Sequence, residues 1–257
     1  MAGSDCGRAE SSSVSSRQRR WTLTEAAKGH AVIVGVGDGL SAALARRFAA
    51  AEYALTLAAR DIAKLEALAV ETGAARKSLD AADATSVSAF FAGLAEAPRV
   101  VIYNPSARVR GALVELDPDA VRRALEVTAI GAFHVGQAAA AHMLATDPRD
   151  GTRGTIMMTG ASAGVKGFPR SAPFAMGKFA QRGLAQSMAR ELHPQGIHVV
   201  WINIDGAIRN PGRTEPSDNP DSMLDPDAIA AAYLQLAEQD RSAWSDELTL
   251  RPWVERF

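Results

Sequence analysis

The chain has 257 residues, of which 47% are hydrophobic, and its 28 basic and 29 acidic residues give a net charge of −1. This much apolar sequence is enough for a large buried core, and no apolar run approaches the roughly 20 residues of a membrane-spanning helix. The balanced charge provides no basic face of the kind that nucleic acid needs, so we expect a small-molecule partner and neither nucleic acid nor membrane.

The polar, serine- and arginine-rich start of the chain predicts a flexible tail over residues 1–28, followed by a single domain over residues 29–257. The tail lacks the apolar centre of a secretory signal, and Asp5 and Glu10 argue against an organelle transit peptide. The sole cysteine, Cys6, lies in this tail, which excludes an internal disulfide and disfavours a catalytic thiol. Together these features indicate a cytoplasmic protein.

After the tail, apolar strands alternate with helical segments. We predict strands at residues 31–34, 54–59, 75–79, 99–104, 154–159, 196–204 and 247–250. We predict helices at residues 42–51, 62–72, 86–95, 118–144 and 226–239, and one carrying Lys178 that ends near residue 193. The alternation is typical of an α/β Rossmann fold, a doubly wound, mostly parallel sheet with helices on both faces. Residues 205–225, rich in proline, glycine, aspartate and asparagine, predict a mobile loop over the ligand pocket.

A glycine-rich loop follows the first strand and opens the first helix, which is the context of a dinucleotide-binding loop. Glycine lets the backbone approach a pyrophosphate, and the helix N-terminus supplies N–H groups. The candidate contacts are Gly35, Gly37, Gly39 and Leu40. Asp38 brings a negative charge to this loop, unless it points outward and caps the helix.

The second strand ends at Arg60, where an NAD-binding chain would place an acid for the ribose hydroxyls. Arginine can form a fork onto a 2′-phosphate, so we expect NADP(H) as the preferred cofactor, with NAD(H) as an alternative. A solvated arginine at the end of the strand is the other interpretation of Arg60. Asp61 is better suited to capping the next helix than to binding ribose.

Residues 157–192 resemble the active-site segment of the short-chain dehydrogenase/reductase family, in which a serine-bearing loop precedes a helix with Tyr-x-x-x-Lys. The resemblance implies that Lys178 is the family's lysine. It also implies that the other three relay positions have changed, with Phe174 for tyrosine, Ala161 for serine and Thr128 for asparagine. A phenyl ring has no proton to give, so the usual proton relay is incomplete.

The resemblance also implies further contacts with the cofactor. Asp80 and Ala81 correspond to the adenine contacts, Asn104 to the loop after the fourth strand, and Gly206 and Ile208 to the segment that fixes the nicotinamide carboxamide. Ser41 stands where the family has its third glycine, and Asp205 stands where it has proline. Lys178 would hold the nicotinamide ribose.

We therefore predict an oxidoreductase that transfers hydride to or from a carbonyl or alcohol with a non-standard proton relay. The alternative is a catalytically inactive NADP(H)-binding sensor or subunit. Ser162 is the first candidate to replace the missing proton donor. Other hydroxyls that could do so are those of Ser171, Thr128 and Tyr103, and Ser171 has the spacing to Lys178 that related enoyl reductases use for their tyrosine.

Two expectations concern metals and partners. The histidines share no spacing typical of metal ligands, so we expect no metal. The family resemblance implies a homodimer or homotetramer that pairs through helices corresponding to residues 118–144 and 171–193. The aromatic residues in the segment 250–257 are expected to pack at a subunit interface.

Overall fold

The structure is a computed structural model that describes Met1 and residues 28–255. The predicted tail, including Cys6, therefore lies almost entirely outside the described residues and stays a prediction. Phe257 of the predicted aromatic C-terminal segment also lies outside them.

Seven strands form one sheet in the order β3-β2-β1-β4-β5-β6-β9, and every neighbouring pair is parallel. The strands are β1 His30–Val34, β2 Ala54–Ala59, β3 Ala75–Ser78, β4 Val100–Tyr103, β5 Gly154–Thr159, β6 Ile197–Ile204 and β9 Glu247–Leu250. The central strands are apolar throughout because helices cover both of their faces. This topology is a Rossmann fold and confirms the predicted fold class.

The helices divide between the two faces of the sheet. They are α1 Leu40–Ala50, α2 Glu66–Thr72, α3 Ala84–Ala92, α4 Pro118–Leu125, α5 Gly131–Leu144, α6 Ala172–Leu192 and α7 Pro226–Ala237. Buried residues of α1, α2 and α7 form a core on one face, and those of α3, α5 and α6 form a core on the other. No helix in the described part of the chain is long and apolar enough to cross a membrane.

The helix predicted over residues 118–144 is interrupted by a π-helical turn, Glu126–Ile130, between α4 and α5. Within this turn, the carbonyl oxygen of Val127 accepts a hydrogen bond from the hydroxyl of Tyr103 on β4. A side chain that bonds into a helix ladder is a known cause of such departures. The turn follows from a tertiary contact that hydrophobic periodicity does not reveal.

The segment between β6 and α7 is not wholly irregular, in contrast to the prediction. A two-stranded parallel ladder, β7 Ala207–Ile208 and β8 Met223–Leu224, closes its base. The C-terminal segment packs beside it, because Arg251 pairs with Asp205 at 3.4 Å. Strands of two residues give little sequence signal, because two residues are too few to show the alternation of apolar and polar residues typical of a β-strand.

Candidate active site

The loops after β1, β4, β5 and β6 meet at the carboxyl edge of the sheet, where ligands bind in folds of this kind. Three adjoining cavities lie there, each named here after one lining residue. The Arg60 cavity has about 400 Å³, the Lys178 cavity about 240 Å³ and the Arg110 cavity about 460 Å³. Asn104 borders the first two cavities, and Phe174 borders the last two. The three cavities therefore form one extended cleft.

The glycine-rich loop has the geometry of a phosphate cradle. Gly35 has φ +79°, and a Cβ atom there would lie 2.6 Å from Cγ of Pro105. Only glycine fits this position without displacing the loop after β4. Gly39 is the N-cap of α1, and no side chain caps this helix end. Its first N–H groups are therefore free to bind an anion. The suggestion that Asp38 caps the helix is wrong, because Asp38 is exposed and makes no such bond.

Ser41 ties this loop to the loop after β4. Its Oγ atom donates a 3.2 Å hydrogen bond to the carbonyl oxygen of Gly35 and accepts a 2.6 Å bond from Nδ2 of Asn104. A hydroxyl can donate and accept at once, which glycine in the same place could not do. Ser41 was expected only to be small enough for the loop. Its bridging role depends on Asn104, 63 residues away in sequence.

The Arg60 cavity brings together Arg60, Asp80, Ala81 and Asn104, as the prediction requires. Lys64, which the sequence prediction missed, adds a second positive charge to the lining. No described carboxylate lies within ion-pair distance of Arg60, and its guanidinium is available for a ligand.

Asp61, next to Arg60, has the predicted capping role. Its carboxylate accepts a 3.1 Å hydrogen bond from the N–H of Ala63, at the start of the helical segment that leads into α2. Its side chain also approaches Lys64, at 3.5 Å. The carboxylate is thus held by its own chain segment, which leaves ribose binding to other groups.

Lys178 is buried on α6, with 2% of its surface exposed. Its Nζ atom donates hydrogen bonds to the carbonyl oxygen of Thr159 at 2.5 Å and to Oε1 of Gln181 at 3.2 Å. Burial, with a smaller contribution from the charge of Arg108, lowers the pKa of Lys178 to about 7. An ammonium group in an apolar interior loses its hydration. No carboxylate among the described residues lies within ion-pair distance of Lys178 to compensate for this loss.

Gln181 holds Lys178 from the opposite side and was missed by the sequence prediction. It is fully buried, and its Nε2 atom donates a 3.3 Å bond to the carbonyl oxygen of Thr128. A buried amide three residues after the lysine, on the same helix face, is the signal that could have revealed it. The pair fixes the direction of the lysine side chain.

Phe174 lies one turn before Lys178 and is buried, at the position that the resemblance assigns to tyrosine. The guanidinium carbon of Arg108 lies 4.2 Å from the centroid of its ring, in a cation–π contact. Ser162 and Ser171 line the Arg110 cavity together with Phe174. Their hydroxyls have no hydrogen-bond partner among the described residues, which leaves both free to meet a ligand.

The other two candidate hydroxyls are held by the protein itself. Thr128 borders none of the three cavities, and its Oγ1 atom accepts a 3.0 Å hydrogen bond from the N–H of Ala107. The Tyr103 hydroxyl donates to Val127, and burial raises its pKa well above the usual range. These two hydroxyls stabilise the loops and helices around the cleft.

Gly206 and Ile208 line the Lys178 cavity, where the resemblance places the nicotinamide end of the cofactor. Gly206 has φ +156°, and a Cβ atom there would lie 2.9 Å from Leu224 and Pro252. The described residues contain no group of three or more histidine, cysteine, aspartate or glutamate side chains placed to hold a metal ion.

The parallel sheet, the uncapped helix behind a glycine-rich loop and the buried lysine at the sheet edge define a Rossmann-type protein of the dehydrogenase kind. A family model described as short chain dehydrogenase matches residues 29–215, and the chain belongs to this family. The resemblance inferred from residues 157–192 is thereby confirmed at the level of the family.

Comparisons with individual proteins also find dehydrogenases. A short-chain dehydrogenase from Rhodopseudomonas palustris is 33% identical, with a TM-score of 0.74 over 88% of this chain and 99% of that one. The 2-keto-3-deoxy-L-fuconate dehydrogenase of Xanthomonas campestris is 30% identical over 180 residues, 69% of this chain and 57% of the relative. A gluconate 5-dehydrogenase from Burkholderia cenocepacia, solved with NADP and tartrate, is 24% identical, with a TM-score of 0.76 over 87% and 93% of the two chains. The chain spans about half the length, 43% to 57%, of the curated relatives that it matches.

Proposed function

We propose that this protein is an NADP(H)-dependent oxidoreductase that transfers hydride between the cofactor and a carbonyl or alcohol substrate. The observation that carries the proposal is the continuous cleft from Arg60 to the buried Lys178. One end carries Arg60, which has no described carboxylate within ion-pair distance and suits a 2′-phosphate, and the middle carries the free N–H groups of α1 for a pyrophosphate. The gluconate 5-dehydrogenase solved with NADP agrees with this cofactor preference. NAD(H) would bind more weakly, because it lacks the 2′-phosphate that Arg60 would bind.

The remaining predicted contacts are assigned along the cleft in the same direction. Asp80 and Ala81 would contact the adenine, and Asn104 would border the centre of the cofactor. Gly206 and Ile208 would fix the carboxamide with their backbone groups, and Lys178 would donate to the nicotinamide ribose. When bound there, the nicotinamide supplies or accepts the hydride.

The proton needs a different source, because Phe174 cannot donate one. We assign this role to Ser162, whose free hydroxyl borders the Arg110 cavity beside Phe174. In reduction, Ser162 would donate its proton to the substrate oxygen, and the charge of Arg108 would stabilise the oxygen as negative charge develops on it. A proton would then return to Ser162 from solvent through the open mouth of the cavity. Ser171, on the same lining, is the second choice for this role.

A catalytically inactive NADP(H)-binding sensor or subunit is the second candidate function. It is favoured by the contact between Thr128 and the N–H of Ala107, which holds this hydroxyl in a structural role. It is also favoured by the apolar ring of Phe174 at the position of the family's proton donor.

Two measurements on the purified full chain separate these functions. Calorimetry should show NADPH binding more tightly than NADH, and the absence of binding by either cofactor would refute both candidates. A panel of ketones, aldehydes, alcohols and enones, followed by NADPH absorbance, should then reveal one substrate class with measurable turnover. The activity should be lost in Lys178→Ala and reduced in Ser162→Ala. Tight NADPH binding without any turnover would favour the inactive sensor.

A further inference from the structure

Arginines border the far end of the cleft, and their charges are not neutralised. Arg108, Arg110 and Arg170 all line the Arg110 cavity, and neither aspartate nor glutamate is among its lining residues. None of the three has a described carboxylate within ion-pair distance. By contrast, Arg182 on α6 forms two 2.7 Å bonds to the carboxylate of Glu247.

The backbone holds two of these arginines on the same rim. The N–H of Gly111 donates a 3.3 Å hydrogen bond to the carbonyl oxygen of Arg170, which joins the loop after β4 to the loop after β5. Arg110 and Arg170 are therefore neighbours across this bond, although they lie 60 positions apart in the sequence. Arg170 has φ +59°, in the left-handed region, which is unfavourable for a residue with a side chain. The connection places both residues on the same rim of the cavity.

Arg108 sits deeper, over the ring of Phe174. Much of its side chain is exposed, but the guanidinium is partly enclosed by the cavity wall. This partial desolvation, and then the positive charges of Arg110 and Arg213, lower the pKa of Arg108. An anion bound among these groups would relieve their mutual repulsion.

We propose that the Arg110 cavity binds an anionic group of the substrate, either a carboxylate or a phosphate. This inference rests on the proposed function, and it narrows the substrate class to carbonyl or alcohol compounds that carry such a group. Arginine forks match both anions with paired N–H bonds, and the ring of Phe174 holds one fork in position. The residue that removes the family's proton donor therefore gains a second role as a support for Arg108.

Arg213 is not assigned to the proposed anion site, because it lines a different cavity. It lines the Lys178 cavity with Gly39 and Asn210, and a Cβ atom on Gly39 would lie 3.6 Å from Cβ of Asn210. This end of the cleft faces the N-terminus of α1, where the pyrophosphate of the cofactor would bind. Arg110 and Arg170 do not border that cavity, so the cofactor phosphates do not account for them.

The test compares pairs of carbonyl compounds in which one member carries the anionic group and the other is neutral. Levulinate and methyl levulinate form the carboxylate pair, and dihydroxyacetone phosphate and dihydroxyacetone form the phosphate pair. Each is titrated calorimetrically into the full chain, with and without NADP⁺. We expect the anionic member of at least one pair to bind at least about tenfold more tightly than its neutral counterpart, as charged hydrogen bonds of this kind provide. The pair with the larger ratio distinguishes a carboxylate site from a phosphate site.

Variants then locate the site. Arg110→Ala combined with Arg170→Ala should reduce the ratio at least about threefold while leaving the NADP⁺ affinity unchanged, because only Arg108 of the three arginines remains. The double lysine variant, R110K with R170K, should retain part of the ratio, because it keeps the charge without the fork. Arg190→Ala, on the exposed side of α6, is the matched control and should keep the full ratio.

The outcomes separate this inference from the proposed function. NADP⁺ binding with no preference for either anion, or a preference that the double alanine variant leaves undiminished, would overturn the anion site alone. Loss of NADP⁺ binding in the unmodified chain would instead refute the proposed function. An anion preference in that case would still support the site, because the titrations without cofactor measure it directly.

Discussion

The Nζ atom of Lys178 lies 2.5 Å from the carbonyl oxygen of Thr159, the last residue of β5, so the lysine points from its helix to the carboxyl edge of the sheet. Its neighbours in the interior are neutral groups, Thr159 and Gln181. The side chain is thus held in place before any ligand arrives, but its positive charge is not compensated.

The first prediction concerns proton uptake when the cofactor binds. The pKa of Lys178 is lowered to about 7, so the side chain is mostly neutral at pH 8. A bound NADPH brings negative charge, which favours the ammonium form. We expect uptake of about 0.5 to 1 proton per NADPH at pH 8. Calorimetry in buffers of different ionisation enthalpy measures it, and Lys178→Met should abolish it. Equal uptake by the variant would contradict the assignment.

The lowered pKa of Lys178 also makes the stability of the cofactor-free protein depend on pH. Between pH 7 and the ordinary lysine pKa of 10.5, the unfolded chain binds a proton that the folded chain does not. The contribution of Lys178 to the free energy of unfolding therefore rises with pH across this window. The difference between wild type and Lys178→Met in urea unfolding should change in that direction.

A second prediction restores the family's proton donor. Phe174→Tyr should change turnover by less than about tenfold, because Ser162 already supplies the proton that the new phenol hydroxyl beside Lys178 would offer. Tyrosine can still support Arg108 by a cation–π contact. Phe174→Leu, which provides neither a phenol hydroxyl nor an aromatic ring for Arg108, is the control. An increase of about 10²- to 10⁴-fold would instead show that the wild type lacks a positioned proton donor, and it would contradict the role assigned to Ser162.

Cofactor preference gives a third prediction. Arg60→Ala should weaken NADPH binding by about ten- to hundredfold, because charged hydrogen bonds to the 2′-phosphate are lost. NADH binding should change by less than about threefold, since NADH carries no phosphate there. Fluorescence titration with both cofactors measures the ratio. Arg60→Lys, as the matched control, should keep part of the preference. Equal losses for both cofactors would exclude Arg60 as the source of the preference.

Acid sensitivity gives a fourth prediction. Burial lowers the pKa values of His30 and His198 to about 4, and the His198 ring stacks on Trp244 with centroids 4.8 Å apart. Between pH 6.5 and 4 the unfolded chain binds protons that the folded chain does not, so stability falls as pH falls. We expect a loss on the order of 1–2 kcal/mol per histidine at pH 5 relative to pH 7.5. Urea unfolding of wild type and His198→Gln tests this, and an equal pH dependence in both would exclude His198 as a source.

The fifth prediction concerns self-association, which we propose as a homodimer or homotetramer through α5 and α6. Phe133 on α5 and Phe179 on α6 are 45% and 46% exposed, which is costly for aromatic side chains on a lone chain. Light scattering should give an oligomer for the wild type and a smaller species for Phe179→Glu. Val70→Glu, at an exposed site on α2, is the control and should not dissociate it. A monomeric wild type would refute the pairing.

The sequence allowed most of the fold to be predicted, because strand and helix periods are local properties. The bounds of β2, β5 and β9 agree with the prediction, and most other ends differ by one or two residues. The π-helical turn was missed because it depends on Tyr103, which reaches it from another strand.

The residues expected to bind the cofactor could be assigned to one edge of the sheet from the sequence, because loop glycines and strand ends have recognisable roles, and their binding stays a prediction. The bridge formed by Ser41 and the support of Lys178 by Gln181 could not be predicted, since both require knowledge of which side chains face one another. The arginine cluster was missed for the same reason, because Arg110 and Arg170 come together only through a backbone bond between two loops.

The contact between the C-terminal segment and the loop after β6 has a consequence for the Lys178 cavity. Asp205 is joined to Arg251 by an ion pair and to Leu250 by a 2.8 Å backbone bond, and the Trp253 indole donates a 3.2 Å bond to Asp221. The segment between β6 and α7 is thus held by contacts with residues 250–253. Changes near Trp253, outside the cleft, would therefore displace Gly206 and Ile208, which line the Lys178 cavity.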